Sequence, residues 1–106
     1  MPRMRGLTLI VTTADAERWG AALTLAAASA ALGARTRLYL HEGAVALLAA
    51  PEPRLALAIE SGAAVIACQT GLIDAGLSAD ALPDGVETGG MVALLAGLDD
   101  DRLTTI

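Results

Sequence analysis

Three short apolar runs, separated by stretches of helical composition, constrain this chain more than any other feature. The runs are Leu7–Thr12, Arg35–Leu40 and Ala63–Ala67, and each one is typical of a strand. Alanine-rich stretches lie between them. Strands that alternate with helices favour a parallel sheet with right-handed crossovers. The sequence therefore predicts one α/β domain over residues 1–106, a compact parallel-sheet sandwich of Rossmann-like, three-layer type.

The remaining elements follow from apolar spacing and from Gly and Pro signals. Gly33 suits the end of the first helix, and Pro51 and Pro53 end the second. Arg102–Ile106 is predicted as a last strand, at the sheet edge or at an interface. The predicted helices span 16–32, 44–50, 54–61, 71–75 and 87–98, with a helical turn at 78–82.

Charge and composition exclude several classes of function. The net charge is −5, and all seven basic residues are arginine, so the chain has neither a basic stripe for nucleic acid nor a P-loop lysine. A Gly-x-Gly-x-x-Gly motif is absent too, and Gly89-Gly90 alone is a weak phosphate signal. One His and one Cys are too few for a closed zinc site. We therefore expect no nucleic-acid partner, no cofactor and no metal.

The single cysteine and the alanine content predict where the protein works and how it assembles. One cysteine cannot form an internal disulfide, which fits a reducing, cytoplasmic compartment. The longest uncharged stretch, residues 19–34, is shorter than the roughly 20 residues of a membrane span. Because alanine buries little area and Trp19 and Tyr39 are the only aromatic residues, we expect a shallow core that a homo-oligomer completes.

Cys68 is the main candidate for chemistry. It ends the third predicted strand, and Gln69, Thr70 and Gly71 lead from it into a short helix. The carboxyl ends of strands are where open α/β sheets bind ligands, and a helix N-terminus stabilises a thiolate. A lone cysteine after an apolar strand is equally typical of an inert core residue, and the sequence leaves both interpretations open.

His41 is the second candidate, because it follows the second predicted strand. Neighbouring parallel strands would bring His41 and Cys68 to the same edge of the sheet. An imidazole there could activate the thiol or donate a hydrogen bond to an acceptor. The competing interpretation is a polar loop residue without a role.

Several short motifs, in a fixed order, resemble the DsrE/DsrF-like family, and most closely its peroxiredoxin-like branch. A strand ends in Ala67-Cys68, a short helix follows, and residues 82–86, Leu-Pro-Asp-Gly-Val, precede a Gly-Gly pair at 89–90. Nearer the start, an alanine-rich helix ends at Gly33, and the second strand is followed by Gly-Ala-Val at 43–45. The similarity extends over nearly the whole chain.

The resemblance implies a DsrE/F-like domain that assembles as a trimer or hexamer and performs sulfur-relay chemistry. Cys68 matches the cysteine that holds a persulfide in that family, whereas His41 matches no family motif. The leading hypothesis is a cytoplasmic sulfur carrier or sulfurtransferase-like protein that exchanges sulfur with partner proteins or small persulfides. The alternative is a non-catalytic oligomeric scaffold or small-ligand-binding subunit with a structural cysteine.

Overall fold

Five strands form a single sheet in the computed structural model, which describes residues 4–106. All neighbouring pairs are parallel, and the strand order is β4-β3-β2-β1-β5. The strands are β1 (Leu7–Val11), β2 (Thr36–Leu40), β3 (Ala64–Cys68), β4 (Val86–Gly89) and β5 (Arg102–Thr105).

Helices connect each strand to the next. The first helix begins after Asp15, whose carboxylate accepts the Arg18 backbone N–H at 2.9 Å. Two short 3-10 helices complete the connections, Glu42–Ala49 and Ala79–Ala81. The α-helices are α1 (Ala16–Ala31), α2 (Pro53–Glu60), α3 (Gln69–Asp74) and α4 (Met91–Ala96).

Helices cover both faces of the sheet. On β2 the Thr36 hydroxyl donates to Ser29 of α1 at 2.8 Å, whereas the next side chain, Arg37, packs against Gly97 at the end of α4. Because successive side chains of a strand point to opposite faces, α1 and α4 lie on opposite faces. Right-handed crossovers place α2 and α3 on the α1 face and leave α4 alone on the other. The predicted three-layer α/β fold is confirmed.

The core lies mainly between the sheet and α1. Leu9, Leu38, Leu40 and Val65 are fully buried in the sheet, and Leu23 of α1 packs on it. Small alanine side chains let this helix approach closely. Within residues 4–106, the helices are all too short or too polar to cross a membrane.

The predicted helix over residues 87–98 is wrong at its amino-terminal end. Residues 87–98 were expected to form a helix, but Val86–Gly89 form β4, and the helix begins only at Met91. The strand is held by its pairing with β3, in which Cys68 lies opposite Gly89. The predicted last strand is present as the edge strand β5.

A buried polar cluster ties the amino-terminal ends of three strands together. Asp101, just before β5, accepts a hydrogen bond from the Thr8 hydroxyl at 3.0 Å. The guanidinium groups of Arg37 and Arg35 lie 3.6 and 3.7 Å from the same carboxylate. This cluster and Cys68 lie at opposite ends of the sheet. The cluster therefore stabilises the fold without contacting the cysteine.

Candidate functional site

Cys68 lies at the carboxyl edge of the sheet, as the last residue of β3 and the N-cap of α3. The residue is only 6% exposed. The Gly71 backbone N–H donates to the sulfur at 3.4 Å, so the side chain satisfies one of the free amides at the start of the helix. Gln69 and Thr70 form the first helical turn and are exposed at the surface.

Gly71 allows the start of the 3-10 helix after β2 to approach the cysteine. A Cβ atom on Gly71 would lie 2.8 Å from the Cα atom of Glu42, so no other residue fits without displacing that segment. Glu42 itself has a φ of 46°, in the left-handed region that non-glycine residues rarely adopt. The close packing puts the Glu42 backbone amide among the groups that lower the pKa of the Cys68 thiol.

Tyr39 forms the floor of the site. On β2 it pairs with Ile66 of β3, so its side chain points to the same face as Cys68, two residues further along. The side chain is fully buried, and its hydroxyl has no hydrogen-bond partner of normal geometry. The hydroxyl is nevertheless close enough to the Cys68 sulfur for each group to affect the ionisation of the other.

The environment of Cys68 favours the thiolate. Burial by itself would raise the pKa of the thiol, but the Tyr39 hydroxyl and the backbone amides of Gly71, Glu42 and Thr70 outweigh burial and lower the pKa. In the same pair, burial and the neighbouring Cys68 raise the pKa of Tyr39, which therefore stays a neutral donor. A neutral donor beside an acidified thiol can stabilise negative charge on the sulfur.

His41 lies at the edge of the same site but does not hydrogen-bond to the cysteine. Its Nε2 atom is 3.6 Å from the Glu42 carboxylate, and its buried Nδ1 atom has no partner within the described chain. The ring centroids of His41 and Tyr39 are 6.3 Å apart. The imidazole therefore borders the site, and the groups that act on the thiol are Tyr39 and backbone amides.

These groups surround a cleft of about 230 Å³ where β2, β3 and β4 end. The walls come from the three strand ends and from the start of α4. In the described part of the chain, no three His, Cys, Asp or Glu side chains converge as a metal site would require. The cleft is lined by Tyr39, His41, Glu42, Cys68, Gln69, Thr70, Gly89, Gly90 and Met91.

A solved structure shares this architecture. The crystal structure of the YchN protein from E. coli superposes with a TM-score of 0.83, at 26% sequence identity, over 97% of this chain and 100% of that one. The chain has a DsrE/DsrF-like fold. No protein-family model matches the sequence, and no curated protein matches it either.

Within this DsrE/DsrF-like fold, the candidates chosen from sequence all lie near one another. Cys68, His41, Gln69 and Thr70 line the cleft, and Gly71 lies behind the cysteine, where it packs on Glu42.

Five wall residues of the cleft were not among the site residues chosen from the sequence: Tyr39, Glu42, Gly89, Gly90 and Met91. The period-two alternation of β2 places Tyr39 and His41 on one face, and that signal could have identified the tyrosine. Glu42 and Met91 reach the cleft through loop and helix packing, for which the sequence has no comparable signal.

Proposed function

We propose that this protein is a sulfur carrier or sulfurtransferase-like protein that accepts a sulfane sulfur on Cys68 and relays it. The observation that supports the proposal is the environment of the sulfur: a neutral phenol and several backbone amides surround the chain's single thiol and favour its ionised form. The thiolate is the form that attacks sulfane sulfur. The fold shared with YchN agrees with this general class of protein.

The proposed loading step transfers one neutral sulfur atom. The Cys68 thiolate attacks the outer sulfur of a donor R–S–SH, the new Sγ–S bond forms, and the donor S–S bond breaks with its electron pair leaving as R–S⁻. Unloading is the same exchange in reverse, with an acceptor thiolate attacking the outer sulfur of the Cys68 persulfide. Neither step needs an external oxidant or a second cysteine, so one thiol is sufficient.

Intact-protein mass spectrometry tests the proposal directly. After incubation with a small persulfide, the wild-type protein should gain one sulfur atom that a reductant removes, while Cys68→Ser gains none. Serine caps the helix in the same way, so the variant isolates the sulfur chemistry. Equal masses before and after incubation, with a folded wild-type protein, would rule out the carrier function.

A structural role for Cys68 is the second candidate, because its side chain caps α3 and the residue is 6% exposed. In that case the protein would be a scaffold or ligand-binding subunit. The two candidates differ in thiol reactivity: a carrier is alkylated by iodoacetamide in its native state, whereas a structural cysteine reacts only after unfolding. One alkylation series, with and without denaturant, separates them.

We also propose that the protein acts in the cytoplasm as a homo-oligomer, a trimer or hexamer, and exchanges sulfur with partner proteins or small persulfides. Three large apolar side chains remain exposed on the α4 face, Val92 at 85%, Leu95 at 45% and Leu103 at 46%, and they support an assembly through this face. Sedimentation analysis should give a mass of three or six chains, and Val92→Glu should shift it toward the monomer. A monomeric wild-type protein would contradict the assembly.

A further inference from the structure

We propose that the Tyr39 hydroxyl donates a hydrogen bond to the Cys68 sulfur whenever that sulfur carries negative charge, both as the attacking thiolate and as the thiolate released during unloading. The inference extends the proposed sulfur transfer, because it assigns the residue that stabilises charge at the sulfur atom in both steps.

The first argument is that the Tyr39 hydroxyl has no other hydrogen-bond partner among the described residues. Tyr39 is fully buried, and its oxygen makes no hydrogen bond of normal geometry within residues 4–106. A buried hydroxyl without a partner is costly to the fold, and replacing it by hydrogen is often neutral or stabilising. A polar atom kept unpaired next to a cleft is therefore better explained by a group that becomes charged in the cleft.

The second argument is position. Tyr39 and Cys68 point to the same face of neighbouring strands and line the same cleft. The Gly71 amide already approaches the sulfur at 3.4 Å from the helix. The phenol adds a donor from the adjacent strand, so the sulfur is held between a backbone donor and a side-chain donor. His41, in contrast, makes no hydrogen bond to the sulfur.

The consequence for the reaction is clearest in unloading. When an acceptor thiolate takes the outer sulfur, the Sγ–S bond breaks and its electron pair remains on Sγ. A thiol of lower pKa is the better leaving group, so a donor at Sγ speeds this step. The same donor makes Cys68 a weaker nucleophile per thiolate but increases the thiolate fraction near neutral pH.

The test is the pH dependence of alkylation of the single cysteine, measured by mass spectrometry in wild-type protein and in Tyr39→Phe. Loss of the donor should move the midpoint to higher pH, lower the rate at pH 7 several-fold and raise the plateau at high pH. A merely structural role would instead open the cleft and raise the rate at every pH without moving the midpoint. An unchanged profile, or that uniform increase, overturns the proposal.

Thr36→Val is the matched control, because it removes a buried hydroxyl from the same strand on the opposite face. It should lower the melting temperature and leave the alkylation midpoint in place. Tyr39→Phe should move the alkylation midpoint to higher pH without lowering the melting temperature. If the midpoint moves but no persulfide forms, the charge-stabilising role of Tyr39 stands and sulfur transfer fails; if persulfide forms with identical midpoints, sulfur transfer stands and the role of Tyr39 fails.

Discussion

Gly71 packs directly on the backbone of Glu42, and this contact joins the helix that follows the cysteine to the 3-10 helix that follows β2. Backbone amides from both segments lower the pKa of Cys68. The geometry of the site therefore depends on a position where any side chain larger than hydrogen is excluded.

Gly71→Ala should destabilise the protein by about 1–3 kcal/mol, the usual cost of overpacking. It should also move the Glu42 amide away from the sulfur and raise the pKa of Cys68. Urea unfolding and the alkylation profile measure the two effects. Gly43→Ala is the control, since a Cβ there meets nothing within 4 Å; equal stability losses in the two variants would contradict the packing argument.

Cys68→Ala and Cys68→Ser should differ in stability, although both abolish sulfur uptake. Alanine leaves the Gly71 amide without its acceptor, whereas serine replaces the sulfur with a hydroxyl oxygen that caps the helix well. We expect the alanine variant to be less stable than the serine variant by about 0.5–1 kcal/mol. Equal unfolding free energies would mean that the capping contact contributes nothing.

Alkaline pH should destabilise the protein through Tyr39. Burial raises the pKa of Tyr39 above its ordinary value of 10.0, so the unfolded chain ionises first. Ionisation of Tyr39 therefore leaves the free energy of unfolding unchanged below pH 10 and lowers it as the pH rises further. Denaturant unfolding between pH 8 and 11 should show this loss in Cys68→Ser, whose thiol no longer titrates, and not in Cys68→Ser combined with Tyr39→Phe.

Asp101→Ala should destabilise the protein by about 3 kcal/mol, because it leaves the Arg37 guanidinium, 11% exposed, without its carboxylate. The Thr8 hydroxyl loses its acceptor at the same time. Asp100→Ala, at the exposed neighbouring position, should change the free energy of unfolding by less than about 0.5 kcal/mol. The site lies at the other end of the sheet, so alkylation of Cys68 in folded Asp101→Ala should match wild type.

The sequence was sufficient to predict the order of the main elements and the sheet edge at which Cys68 lies, because apolar runs and helical spacing reflect local structure. It was insufficient to predict β4. Glu87 and Thr88 are exposed in that strand, so no apolar alternation marks it, and pairing with β3 holds it extended. Its Gly-Gly end also resembles a helix start.

For the site too, local sequence patterns predicted some features, and contacts between distant segments determined the others. His41 and Cys68 could be placed at one edge because each ends a strand. Sequence reasoning made His41 the candidate activator, yet the groups that lower the pKa of the Cys68 thiol are Tyr39 and backbone amides, among them that of Glu42. Those contacts depend on strand register and on the absence of a side chain at Gly71, which are properties of the packed molecule.

Because Tyr39 and Cys68 line the same cleft, the protein also contains a built-in optical probe of its thiol. The chain has one tyrosine, one cysteine and one tryptophan, and the tryptophan is on α1, on the other face of the sheet. Phenol absorption responds to the charge and hydrogen bonding of its hydroxyl. The ultraviolet difference spectrum of the unlabelled native protein should therefore report each ionisation and each loading of its thiol in real time.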